Sequence, residues 1–384
     1  GYYAEKAMEA AREYGQSEVY ISEAVINTVY IDDSKISNIE TKLDSGLMIR
    51  IADGGRQGKA SVTLDSDSSV QQCMSMAESV LRFSPESTEF KGYAQPGKAR
   101  ISAPDVWDRR VEDVTPDTLR EMARTLIDAC PVNIPRAQIR VSTNDCRVMN
   151  GNGVDCGHRS TMVYGHFTSM TSKDHPGEGM ETYHGTHLDI DLQAIGESLA
   201  RQANAAASSH EFKGSKQLTM ILPPGQLGDM MNSSVVAAVN GENVKYGRSM
   251  WKDALGQQVA SEQLTIVDDP TVPAPLSCVF DDEGTPTERR VVVENGVLRS
   301  FLRDSFCGDS TGNGMRRSSV EAQGAYERTP VIKALNVTAK PGMYTPEQII
   351  EQTDRGIFVE RFAWPEAAEM TFIRRTPLSL TPMR

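Results

Sequence analysis

The spacing of apolar residues alternates between a helical and an extended period along the chain. Ala7, Met8, Ala11 and Tyr14 recur at helical spacing between Ala4 and Gly15, which predicts a short first helix. Glu18–Asp33 is dense in Val, Ile and Tyr. Ile36–Glu40, Gly46–Ala52 and Lys59–Thr63 follow as further strands between Asp-Ser and Asp-Gly-Gly turn signals. Ser68–Phe83 returns to helical spacing through Val70, Cys73, Met74, Ala77, Val80 and Leu81. After a loop over Gly92–Pro104, Thr115 as N-cap and Pro116 at the first helical position open a helix to Ala129. Strands resume at Gln138–Ser142, Cys146–Met149, Arg159–Ser172 and Thr182–Asp191, and Ala194–Ala207 is an Ala-rich helix.

This order suggests a repeated α+β unit in the first half. Grouped strands with turn-like connections favour antiparallel pairing over βαβ crossovers. Ser208–Lys216 reads as a linker, dividing the chain into an N-terminal domain, 1–207, and a β-rich C-terminal domain, 208–384. Beyond it, Gln217–Leu222 is a strand and Gln226–Val239 a helix ended by Asn240-Gly241. Arg289–Val293 and Val297–Leu302 form a hairpin around Asn295-Gly296, the favoured type I′ pair. Thr345 and Gln348 make a capping box for a helix closed by Gly356, and Ile357–Phe362 is a strand. The expected fold class is α+β: an antiparallel sheet with flanking helices, then mainly antiparallel β with few helices.

Composition narrows the function. The 384 residues carry 40 basic and 52 acidic side chains, a formal net charge of −12, which offers no broad cationic face for a phosphate backbone. The Arg109-Arg110, Arg289-Arg290, Arg316-Arg317 and Arg374-Arg375 doublets read as solvated surface. No stretch approaches the ~18 apolar residues of a membrane helix. The start, at Gly1 rather than Met, lacks a signal-peptide layout, and a trimmed or longer start is expected. Six cysteines, at 73, 130, 146, 156, 278 and 307, stand singly, the usage of a reduced cytoplasmic protein.

Candidate chemistry is sparse. All six histidines, His158, His166, His175, His184, His187 and His210, lie in the first 210 residues. His184 and His187 fall three apart in an expected strand, on opposite faces, and so make a poor joint ligand pair. His210-Glu211 begins like a zinc-protease helix, but Gly214 stands where the second histidine belongs. No Walker A, nucleophile elbow or dinucleotide turn is present. Asp281-Asp282-Glu283-Gly284 is an acidic run that reads either as a cation site or, more simply, as a polar turn entering the Arg289 hairpin.

A series of segments in the second half carries a family resemblance. Leu255-Gly-Gln-Gln-Val-Ala-Ser261, Leu264-Thr-Ile-Val-Asp-Asp-Pro270 and Phe280-Asp-Asp-Glu-Gly-Thr-Pro286 come first. Val291-Val-Val-Glu-Asn-Gly-Val-Leu298, Ser310-Thr-Gly-Asn-Gly314 and Thr345-Pro-Glu-Gln-Ile-Ile350 follow. In this order they resemble the TldD/PmbA family over roughly Leu218 to Phe362. The resemblance implies a two-domain α+β protein of the bacterial and archaeal cytoplasm. In that family a TldD-type zinc metallopeptidase, carrying H-E-x-x-x-H on the helix before the Gly-Gln-Gln-Val segment, pairs with a TldE-type subunit that lacks the motif. Together they cut unfolded or short peptides, including peptide-antibiotic precursors. The family also carries the label of a DNA gyrase modulator, which the acidic charge does not support.

Counting back from Gly256, the two family histidines fall on Asn232 and Ala237 and the glutamate on Ser233. None can supply an imidazole or a carboxylate base, and Cys307 is the last cysteine, so the C-terminal cysteine ligand has no counterpart. Family members continue past the Gly356 strand with further strands and an Asn-Gly turn, a pattern that Ala367–Arg384 does not match. The resemblance is to the TldE/PmbA-type subunit. It implies no catalytic, cofactor or metal residue in this chain, zinc in a TldD-like partner, and peptide substrates. Two alternatives stay open: a homodimeric peptide-binding scaffold, and a stand-alone peptidase using serines or the His158–His187 group.

Overall fold

The computed structural model describes residues 1–171, 176–208, 218–317 and 323–360, and the backbone of 366–368, 371–373 and 380–382. The expected linker therefore falls largely outside the described residues, as do His175, His210 and Arg374-Arg375.

The first half is a twofold repetition. Helix α1 (Tyr2–Ala10) leads into β1 (Gln16–Asp32), β2 (Lys35–Asp53), β3 (Arg56–Thr63) and α2 (Asp67–Phe83). After the short α3 (Arg109–Glu112), α4 (Pro116–Ala129) leads into β4 (Arg136–Asn150), β5 (Asp155–Met170), β6 (Glu178–Gly185) and α5 (Leu192–Ala207). The two three-strand meanders join through β1 and β4 into one antiparallel six-stranded sheet, β3-β2-β1-β4-β5-β6. The repeated unit read from the sequence is thus one helix, one meander and one helix, used twice.

Two cores lie on the helix side of the sheet. Val19, Leu47, Ile49 and Ile51 pack under α1 and α2 with Val70, Cys73 and Ala77. Val29, Ile31, Ile139 and Phe167 pack under α4 and α5 with Leu119, Leu126 and Leu199. A Thr115–Thr118 capping box holds the start of α4. On the other face, Tyr20, Met48, Cys146 and Val148 receive Ala325 and Tyr326 from the C-terminal half. Burial on both faces explains why β1 reads as a dense apolar run rather than a clean alternation.

Two expectations about strand length need correction. β2 and β4 each run unbroken where two shorter strands were expected on each. Thr41–Ser45 is mostly exposed, so its side chains lose the core-facing period, yet its backbone stays paired to Glu23–Asn27. Conversely β6 stops at Gly185 instead of reaching Asp191. Thr161 Oγ1 donates to the Thr186 carbonyl (2.6 Å) and Asp108 accepts from Leu188 N (2.8 Å), drawing the chain off the ladder.

The second half is mainly short antiparallel strands. β7 (Thr219–Ile221) is followed by α6 (Pro224–Met231), a π turn over Asn232–Val236, α7 (Ala237–Val239) and α8 (Gly241–Lys245). β8 (Ile266–Asp268), β9 (Arg290–Glu294) and β10 (Val297–Leu298) come next, with Asn295 and Gly296 at φ 48° and 79° as a type I′ turn requires. β11 (Gly314–Met315), β12 (Val331–Ile332), β13 (Val337–Ala339), the exposed α9 (Pro346–Glu351) with its Thr345–Gln348 box, and β14 (Gly356–Val359) follow. Met231, Val235, Trp251, Ile266, Val293 and Leu302 form the core of this half. β14 pairs in parallel with β7; the other strand pairs among the described residues are antiparallel.

A buried charge cluster joins the halves. Glu18 and Arg50 sit opposite each other on β1 and β2 and pair at 3.1 Å. Arg316 Nη2 donates to Glu18 and Arg316 Nη1 to the Asp282 carbonyl, while Arg316 N donates to Asp282 Oδ2 at 2.8 Å. Arg317 Nη1 donates to His158 Nε2 (2.6 Å) and Ser160 Oγ (3.2 Å). The Arg316-Arg317 doublet is therefore core, not the solvated surface expected, and Asp281-Asp282-Glu283 is a buried turn, 2–3% exposed, rather than a surface one. Glu18 is thus held between Arg50 and Arg316, and Asp282 between Arg316 and Arg317, whose Nε lies 3.8 Å from its carboxylate. Burial and repulsion from Glu283 hold the Asp281 carboxyl well above its ordinary range, and burial raises Glu283 as well.

Candidate functional site

The helix from Pro224 to Val239 is where the sequence analysis placed the family's ligand positions. Its inner face, Met231, Ser234, Val235, Ala238 and Val239, is buried. Asn232 and Ala237 are exposed, with Ser233 and Val236 half-buried beside them. In a regular α-helix, residues five apart point about 140° away from each other. The π turn over Asn232–Val236 widens the helix locally and turns both positions to the same open side. Ser233 and Ser234 help form it: both hydroxyls donate to the Met230 carbonyl, a group that a π turn deprives of its regular helical partner. The open side thus presents an amide, a hydroxyl and a methyl group. These do not fit a zinc ion, and among the described residues no group of three or more His, Cys, Asp or Glu side chains is placed to hold a metal.

One turn before the π turn, Asp229 faces a cleft of about 680 Å³ between the two halves. Its far wall is β6, the edge strand of the large sheet, with Met180, Glu181, Thr182 and His184. Gln202 of α5 organises this wall: its Oε1 accepts from Met180 N (3.1 Å) and its Nε2 donates to Glu181 Oε1 (2.6 Å), which also accepts from Ser198 Oγ. Met180 therefore points its main-chain groups away from β5. By the two-residue alternation of an antiparallel ladder, Thr182 and His184 do the same. Their outward N–H groups have no hydrogen-bond partner among the described residues. Arg201 Nη1 reaches Glu360 Oε1 at 3.3 Å across the cleft.

His184 stands edge-on to Tyr164, ring centres 5.2 Å apart. Burial lowers its pKa against the pull of Asp229, and burial raises Asp229 against the pull of His184. His187 turns elsewhere: Nδ1 meets Thr186 Oγ1 at 2.9 Å and Nε2 lies 3.5 Å from Asp105. The two do not converge, but strand alternation is not the reason: His187 lies past the end of β6. His158 lies beneath Arg317, and His166 is half-buried on β5. The structure does not gather the four described histidines into one site. The cleft supplies an edge strand, a histidine–carboxylate couple and hydrogen-bonding side chains: groups that bind and orient an extended chain.

Fold and helix together define a class, an α+β scaffold whose duplicated meander sheet is closed by a β-rich C-terminal half. Three family models cover most of the chain: PmbA/TldA metallopeptidase domain 1 matches residues 17–81, the central domain 109–207 and the C-terminal domain 215–372. The chain belongs to the PmbA/TldD metallopeptidase family. It is 24% identical over 360 residues to a metalloprotease of Methanocaldococcus jannaschii, covering 87% of this chain and 75% of that protein. A metalloprotease PmbA homolog of Haemophilus influenzae is 24% identical over 340 residues, covering 80% and 70% respectively. The crystal structure of TldE from Thermococcus kodakarensis superposes with a TM-score of 0.81 at 22% identity, covering 93% of this chain and 83% of that one. It shares the fold.

Proposed function

We propose that this chain is a TldE/PmbA-like subunit of a TldD/TldE-type peptidase complex, acting in the cytoplasm on unfolded or short peptides. A TldD-like partner supplies zinc and water activation, and this chain shapes the peptide cleft. One observation carries the reading: the open side of the π turn bears Asn232, Ser233 and Ala237, while the cleft beside it keeps an edge strand free to pair. Strand addition holds a peptide through main-chain groups and so tolerates varied side chains. The six free cysteines accord with a reducing compartment.

The test is co-expression with a motif-bearing partner, followed by peptide cleavage. Thr182→Pro removes one outward N–H at an edge, where proline is tolerated, and leaves the β5–β6 ladder intact. A lost hydrogen bond of about 0.5–1.5 kcal/mol corresponds to roughly 2–10-fold weaker peptide binding. Stoichiometric metal and cleavage by this chain alone would overturn the assignment.

A further inference from the structure

The free edge of β6 is short because it is closed at both ends. Thr171 N donates to the Gly177 carbonyl at 3.0 Å, which makes the odd-numbered residues of β6 the ones bonded to β5. The main chain of Met180, Thr182 and His184 therefore turns outward. At one end, Gln202 Oε1 accepts from Met180 N (3.1 Å) while its Nε2 donates to Glu181 Oε1 (2.6 Å). The side-chain amide thus sits where a neighbouring strand would place a peptide group. At the other end β6 stops at Gly185, and Thr161 Oγ1 takes the Thr186 carbonyl at 2.6 Å. Thr182 and His184 remain, and neither N–H has a hydrogen-bond partner among the described residues.

The placement of Gln202 is written in the sequence. A Cβ at Gly179 would lie 2.6 Å from the Leu199 carbonyl oxygen, and one at Gly177 would collide with the Ala203 carbonyl. These two glycines let α5 lie against the start of β6, and Gln202 reaches from that contact over the edge. An edge that needed only protection from chance pairing would be covered along its length. Here the cover stops after Met180, inside a cleft of about 680 Å³.

We propose that Gln202 is a specificity-determining residue that sets the reading frame of the bound peptide. It confines strand addition to Thr182 and His184, so the cleft grips the main chain of about three consecutive residues, in either strand direction. The substrate class is then short peptides with an unsubstituted main chain, held over a tripeptide length whatever lies beyond it. With Met180 uncovered, the grip extends by about two residues. This inference rests on the reading of the cleft as a peptide site.

Ligand-observed NMR titration of the full chain with N-acetylated, C-amidated oligo-alanines of two to six residues tests it. In the parent, affinity is expected to rise up to the tripeptide and then level. Gln202→Ala vacates the edge and keeps a good helix former in α5. In that variant the ratio of pentapeptide to tripeptide affinity is expected to rise about 2–10-fold, the equivalent of one added hydrogen bond. A steady rise to six residues in the parent, or levelling at any other length, would overturn the proposal without any variant. So would an unchanged ratio in Gln202→Ala, with thermal melting to establish that the variant is folded. Either result leaves the cleft reading standing, whereas a parent chain that binds no peptide of any length overturns both.

Discussion

Glu18 and Arg316, 298 positions apart, form an ion pair that is 1% and 0% exposed. Arg50 supports the same carboxylate from the neighbouring strand at 3.1 Å. Removing one partner of such a pair strands a buried charge. Arg316→Met is expected to destabilise the protein by about 3–5 kcal/mol, and adding Glu18→Gln to recover part of that loss. Denaturant unfolding of the two single variants and the double variant checks it. Additive losses would mean that the two residues act separately.

His158 accepts from Arg317 and is held well below its ordinary 6.5 by burial and by that cation. Its native form is neutral. A depressed folded pKa gives stability that is present above 6.5 and lost as pH falls below it, because the unfolded chain takes up the proton first. His158→Gln is expected to show a smaller loss of stability between neutral and mildly acidic pH. Urea midpoints at two pH values measure the difference.

Gly46 leaves room for Tyr326. A Cβ at that position would lie 2.3 Å from the tyrosine ring, which packs there from the C-terminal half. Gly46→Ala is expected to cost about 1–3 kcal/mol through overpacking. Tyr326→Leu in the same chain should reduce the penalty, which a double-mutant cycle reads directly.

The π turn brings positions 232 and 237 to one side without needing histidine there. Asn232→His, Ser233→Glu and Ala237→His together are therefore expected to give a chain that retains zinc through dialysis, where the parent retains none. Metal analysis of both proteins decides it. A folded triple variant with no zinc would show that the turn alone does not place two imidazoles for one ion.

Much of the frame was legible in the residues. Thr115-Pro116, Asn295-Gly296 and Thr345-Pro346 each encode a local structure by local chemistry, and all three appear where expected. The meander repeat was visible because each helix carries one apolar stripe. What local pattern could not show was partnership across the chain. Arg316-Arg317 looks like any exposed doublet until Glu18 and Asp282 are placed against it, and no spacing rule links residues 298 apart. The acidic turn at Asp281 held the complementary clue, an unusual run beside apolar Val279-Phe280, but its meaning depends on the arginines. The cleft was half legible: replaced ligand positions could be counted, whereas His184 beside Asp229, and the free edge of β6, come from the packing of two distant segments.

The span between Glu18 and Arg316 also has a duration. At about 5–20 residues per second of synthesis, the arginine emerges roughly 15–60 s after the glutamate. Through that interval β1 and β2 can pair, and Arg50 can reach Glu18, but the face that ends up beneath the C-terminal half stays wet. The first half is thus made as a sheet with one finished side and one waiting side, closed only when nearly the whole described chain exists.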